Sequence, residues 1–151
     1  MESLTLSDYE ALAELRYQIR RFLSFSEQAA RAAGLEPRQH QLMLGLKGLP
    51  TSKRPTIGEL AERLQIQHHS AVELVNRLAR SGYIKRARGG DDRREVLLAL
   101  TPKGDKVLRD LSLHHKRELR SAGPNLLAAL RRVISNGSTR RAVPASEKLL
   151  R

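Results

Sequence analysis

Between residues 77 and 94 the chain gathers Arg77, Arg80, Lys85, Arg86, Arg88, Arg93 and Arg94 against only Asp91 and Asp92. Cations at that density bind anions, and a polyanion such as nucleic acid is the first partner to consider. The wider charge pattern agrees. Residues 1–62 hold 8 basic and 8 acidic side chains, residues 63–151 hold 20 and 8, so the formal excess of +12 lies wholly in the second part. A charge that served solubility alone would have little reason to segregate in this way. Catalysis finds little support: there is no nucleophilic Cys, no Gly-rich phosphate loop and no His-Glu-x-x-His. The lack of Cys also rules out disulfides, thiolate metal sites and thiol redox switches within the chain. The Gly89-Gly90 pair reads as turn geometry. No enzyme and no cofactor are expected.

The elements that must carry these residues follow from periodicity. Aromatics are only 3% of the 151 residues, so a core has to be built from aliphatic side chains. Leu12, Leu15, Ile19, Phe22, Ser26, Ala29 and Ala33 recur at three- and four-residue steps and predict a helix over 8–33, with Ser7 as its cap and Glu10 completing a capping box. Gly34 stops it, and Pro37 opens a second helix over 37–48. Thr56 caps a short helix over 57–64, with Glu59 three residues on. A turn at Gln65-Ile66-Gln67 leads to a further helix over 68–80 with Val72, Val75 and Leu78 apolar. The period then changes to that of strands: Tyr83–Arg88 and Glu95–Leu100 form a hairpin. Thr101-Pro102 starts a helix over 102–121, and Pro124 another over 124–135.

Helix, helix, short helix, turn, helix, hairpin, long helix is the order of a winged helix-turn-helix. The fold expected is mainly α, with a two-stranded β-wing and long terminal helices. Residues 37–101 form the DNA-binding domain, 1–36 an N-terminal dimerisation arm and 102–135 the C-terminal dimerisation helices. The tail, 136–151, is assigned no structure. No apolar run approaches the roughly 20 residues of a membrane helix. The stretch MESLTLSDYEALAEL also carries acids where a secretory signal carries bases. A soluble, cytoplasmic protein with no membrane contact is expected.

From Leu60 to Gly104 the chain resembles the multiple-antibiotic-resistance regulator (MarR) family of bacterial transcription factors. Leu78, Gly82, Tyr83, Ile84, Arg86, Asp92-Arg93-Arg94, Leu100-Thr101-Pro102 and Gly104 fill the family's pattern without a gap. Gly34–His40 resembles the entry to its second helix, so the likeness spans about 8–135. It implies a homodimer whose first and last helices interleave with the partner's. Leu126, Leu127, Leu130, Val133 and Ile134 independently need a surface to bury against. It also implies that Arg94 enters a minor groove with Asp92 orienting it. The chain departs from the family at Gln67, where many relatives carry Ser as recognition-helix cap, and at His68, His69, Ser70 and Glu73, where relatives often carry a basic or hydroxyl residue facing the bases. An operator sequence therefore cannot be carried over.

The DNA-contacting residues expected are Thr56, Gln67, His68, His69, Ser70, Glu73, Arg77, Arg86, Arg88, Asp92, Arg93 and Arg94. The resemblance further implies that Tyr17, Arg20 and His40 line a pocket for a small anionic aromatic ligand. Neighbouring histidines on a helix point apart and cannot chelate one ion by spacing alone. His114 and His115 are therefore read first as a pair at a dimer seam, the alternative being a metal site completed by His40 or by an acid from another helix. The function expected is that of a dimeric, ligand-responsive, sequence-specific regulator on a pseudo-palindromic double-stranded operator, a repressor in preference to an activator. The rival is a non-regulatory winged-helix protein, architectural or RNA-associated.

Overall fold

In a computed structural model, which describes residues 2–89 and 94–138, five helices and one hairpin follow in the expected order. They are α1 (Leu6–Ala32), α2 (Pro37–Lys47), α3 (Ile57–Leu64), α4 (His68–Arg80), β1 (Ile84–Arg88), β2 (Val96–Leu100) and α5 (Pro102–Ser138). The chain divides into two compact units, Ser26–His115 and the two terminal segments together, with the boundaries falling inside α1 and α5.

The unit Ser26–His115 is organised around one aliphatic core. Leu42, Met43, Leu60, Val75 and Leu78 are fully buried, and Ala30, Leu35, Ile84, Leu98, Leu108 and Leu111 join them. Each large side chain removed from water contributes about 1.5–3 kcal/mol before ordering costs. Local signals fix the helices that deliver these residues. The Thr56 hydroxyl accepts the Glu59 N–H at 3.2 Å and caps α3 as the sequence predicts. Gln65 ends α3 in the left-handed region, at φ 53° and ψ 46°, and so turns the chain sharply into α4.

The wing is an antiparallel pair in register from Ile84↔Leu100 to Arg88↔Val96. Alternation puts Ile84, Arg86 and Arg88 on one face of β1, and the inner end of that face is buried at Ile84. The return strand of the wing is joined to the loop before α3. The Leu98 N–H donates to the Pro55 carbonyl at 2.8 Å, and Arg54 pairs with Glu95 at 2.7 Å.

In the unit of the terminal segments, side chains tie α1 to α5. Arg132 donates to Glu10 at 3.2 Å, and the Asn136 amide donates to the Ser7 carbonyl at 3.3 Å. Ala11, Gln18 and Ala129 are buried there, while Leu127, Leu130 and Ile134 are exposed, Ile134 at 64%.

Three expectations change. The cap of α1 is Thr5, not Ser7: its backbone N–H donates to Asp8 at 2.7 Å, and its hydroxyl binds the same carboxylate. A hydroxyl and an acid three residues apart occur at Thr5/Asp8 as well as at Ser7/Glu10, and the earlier pair engages first. Leu12 and Ile19, expected on the buried stripe of α1, are exposed, while Ala11 and Gln18 take the buried places. Finally, the two C-terminal helices are one. Pro124 lies inside α5, which continues to Ser138 and takes in the first residues of the segment left unassigned. Proline normally forces its predecessor out of the helical region by clashing with its Cβ, and Gly123 has none. What is lost is the single hydrogen bond to the Arg120 carbonyl.

Candidate nucleic-acid interface

The recognition element is built on α4, whose core stripe is Ala71, Val75 and Leu78. At 100° per residue, His69, Glu73, Asn76 and Arg80 fall on the opposite side. His69, Glu73 and Arg80 are exposed and Asn76 is half-buried. Gln67 stands at the N-cap with extended backbone, and its side chain makes no capping bond. The first-turn amides therefore keep the positive end of the helix dipole without a side-chain oxygen over it. His68 and His69 are exposed at this end.

The two flanks of α4 have different neighbours. On one, Ser70, Glu73, Leu74 and Arg77 border an open groove of about 550 Å³, closed on its far side by residues that include Arg31 and Arg38. Arg77 is held there by Glu73 at 2.7 Å, one helical turn back. On the other flank, Asn76 accepts a hydrogen bond from the Arg86 guanidinium of the wing. Arg88 follows Arg86 on the same face of β1 by alternation, and both are exposed.

The structure thus groups Gln67, His68, His69, Ser70, Glu73 and Arg77 on α4, with Arg86 and Arg88 on the adjoining strand. Arg94 is exposed where the description resumes on the return side of the hairpin. Asp92 and Arg93 lie outside the described residues. Thr56 is half-buried, and its hydroxyl is engaged in capping α3.

Of the three residues expected to line a ligand pocket, Tyr17 and Arg20 belong to the unit of the terminal segments and His40 to the unit Ser26–His115. Tyr17 and Arg20 border a depression of about 380 Å³ along α1, with Arg16 and Ile19. His40, in the other unit, is 3% exposed. Its ring packs against that of His115, with centroids 4.9 Å apart. His115 is fixed in turn. Its Nδ1 lies 2.7 Å from the Leu111 carbonyl and its Nε2 lies 2.8 Å from the Ser26 hydroxyl. A carbonyl can only accept, so Nδ1 carries the proton. Burial, and secondarily the charge of His115, hold the His40 pKa below its ordinary value. His114 is exposed on α5. Among the described residues no three His, Asp or Glu side chains are placed to share a metal ion.

Sequence reasoning missed Asn76, and counted Arg80 in the basic cluster without naming it among the DNA-contacting residues. The signal was present: both lie on the side of α4 opposite Ala71, Val75 and Leu78, at the i+7 and i+11 steps from His69. The Arg54–Glu95 pair, at the tip end of the β1–β2 ladder, carries no local sequence signal, because its partners are 41 positions apart.

Residues 33–95 match the MarR family. YsmB of Bacillus subtilis (strain 168), described as an uncharacterized HTH-type transcriptional regulator, is 23% identical over 121 residues, covering 78% of this chain and 81% of its own. Among solved structures, AbsC, a MarR family transcriptional regulator from Streptomyces coelicolor, superposes with a TM-score of 0.71. It is 18% identical over 93% of this chain and 97% of its own. A single-residue mutant of MepR from S. aureus, bound to an oligodeoxyribonucleotide, gives 0.64 at 18% identity, covering 89% of this chain and 99% of its own. No helix among the described residues is long and apolar enough to cross a membrane. The chain thus has the winged helix-turn-helix fold of these solved structures, and its segment 33–95 matches the MarR family.

Proposed function

We propose that the chain acts as a homodimeric, non-enzymatic, sequence-specific repressor in the cytoplasm, binding a pseudo-palindromic operator and released from it by a small ligand. The observation that carries the DNA-binding part is the concentration of exposed cations on α4 and β1: Arg77, Arg80, Lys85, Arg86 and Arg88. A helix of this width enters a major groove, while the adjoining hairpin reaches phosphates or the minor groove. The DNA-bound MepR mutant supports the same reading by analogy of fold.

Dimerisation is supported by apolar residues of α1 and α5 that remain in water in a single chain: Leu12, Leu127, Leu130 and Ile134. Two copies related by a dyad would present two copies of α4 to successive major grooves, about 34–36 Å apart. The ligand part is supported by the depression where Tyr17 lies among Arg16 and Arg20. A ring beside guanidinium groups is the chemistry that an anionic aromatic molecule requires. Such a ligand would weaken operator binding only by the difference in its affinity for the two spacings of the heads.

The experiment is selection of bound fragments from the genome, followed by affinity measurement on the enriched sequence. An inverted repeat preferred about 10³-fold or more over mixed duplex supports a regulator. Uniform affinity for all duplexes would favour an architectural role instead.

A further inference from the structure

Three arginines of the helix-turn-helix and its wing are held in place, and they are held differently. Arg77 is paired with the Glu73 carboxylate and Arg54 with that of Glu95, each at 2.7 Å. Their positive charges are offset by their partners. Arg86 instead donates to the amide oxygen of Asn76, a neutral acceptor. It is therefore oriented without being neutralised. A guanidinium has five N–H donors and an amide oxygen engages only part of that fork, so donors remain for an acceptor outside the protein.

The placement gives this contact a purpose. Asn76 lies on the side of α4 away from its core stripe, toward the wing. Arg86 lies two residues beyond the buried Ile84 on the same face of β1, opposite the buried Leu98. The bond thus joins the recognition helix to the wing beyond the edge of the core. A free surface Arg must lose rotamer freedom when it binds, and one already held loses less.

We propose that Asn76 is a positioning residue for DNA binding. Its amide oxygen holds the still-charged Arg86 guanidinium beside α4, so that the recognition helix and the wing meet the duplex backbone as one unit. The inference rests on the DNA-binding reading above and adds to it a residue that acts through another.

The test is a double-mutant cycle on the full chain. The probe is the duplex that the wild type enriches from a randomised library about three helical turns long, with mixed-sequence duplex as reference. Arg86→Ala is expected to weaken binding about ten-fold and to lower the slope of log affinity against log salt by about one unit, as for one lost phosphate contact. Asn76→Ala is expected to weaken binding about three- to five-fold with an unchanged slope, because the cation remains but is no longer aimed. The double variant is expected to bind like Arg86→Ala alone, since Asn76 has nothing left to position. Asn76→Asp keeps a partner for Arg86 but cancels its charge, so it should weaken binding more than Asn76→Ala and lower the slope by about one.

Additive effects of the two alanine variants would overturn the inference, and so would Asn76→Asp binding with wild-type affinity and slope. Should Asn76→Ala fold poorly, the aspartate variant, which retains the contact, still decides the question. If the wild type enriches no duplex and binds none, the DNA-binding reading itself fails, and that outcome is distinct from an additive cycle.

Discussion

A Cβ atom on Gly104 would stand well inside van der Waals contact distance of the Tyr83 carbonyl oxygen. That oxygen also accepts the Thr101 N–H at 3.0 Å, and the Thr101 hydroxyl in turn accepts the Gly104 N–H at 3.1 Å. The Thr101 hydroxyl donates to the Gly82 carbonyl, while Lys103 reaches the Ser81 carbonyl at 2.8 Å and lies over the Tyr83 ring. The run Thr101-Pro102-Lys103-Gly104 is therefore both the cap of α5 and the clasp between α5 and the chain leaving α4. Gly104→Ala should destabilise the protein by about 1–3 kcal/mol, as overpacking against backbone does. Thr101→Ala should cost about 1 kcal/mol through the lost cap. Urea denaturation of the two variants checks this, and a Gly104→Ala variant as stable as wild type would refute the clasp.

The buried His40 ring gives the fold a pH dependence with a definite sign. Its pKa is lowered by burial first and by the charge of His115 second, so the unfolded chain takes up a proton before the folded one. The stabilisation is fully present above the unfolded value near 6.5 and is lost as pH falls from there toward the lower folded value. Urea midpoints measured from about pH 8 to pH 5 should fall across this window in wild type. The fall should be shallower in His40→Phe, which keeps a ring beside His115. Parallel profiles would mean that His40 does not couple folding to protons.

Dimerisation is expected to depend on the apolar faces of the terminal segments. Replacing Leu130 and Ile134, both exposed in the single chain, by Glu should leave the helix-turn-helix unit folded and shift the protein to monomers. Light scattering after size exclusion reads the mass directly. A variant that remained dimeric would place the interface elsewhere.

Arg94→Ala should weaken DNA binding at least several-fold without lowering the unfolding midpoint, because an exposed residue at the wing buries little. A phosphate contact would lose affinity equally on every duplex and flatten the salt slope by about one unit. Reading of a narrow minor groove would cost most on A·T-rich flanks. An unchanged dissociation constant on the selected duplex would remove Arg94 from the interface.

Much of this architecture is legible in the sequence because its signals are local. Thr56 with Glu59, the turn at Gln65, the change of period at Tyr83 and the Thr101-Pro102 start each lie within a few residues of what they determine. Ser7 and Pro124 show where local rules compete. Two cap signals overlap at the first turn of α1, where the sequence reading points to Ser7 and the fold uses Thr5, and Gly123 removed the clash by which Pro124 would have ended α5. The site was legible as a face of α4 and a basic hairpin, but not as contacts. That Asn76 meets Arg86, or that His40 meets His115, depends on how separate elements pack.

The central claim, that α4 and the wing read a duplex sequence, is tested most directly by one competition measurement. The wild-type protein is titrated, at physiological salt, onto its selected duplex and onto a scrambled duplex of identical composition. The account expects the selected duplex to contain an inverted repeat and to bind about 10³-fold or more tightly than the scrambled one. Equal affinity for the two would show that the basic surface grips phosphate without reading bases, and would contradict the assignment as a sequence-specific regulator.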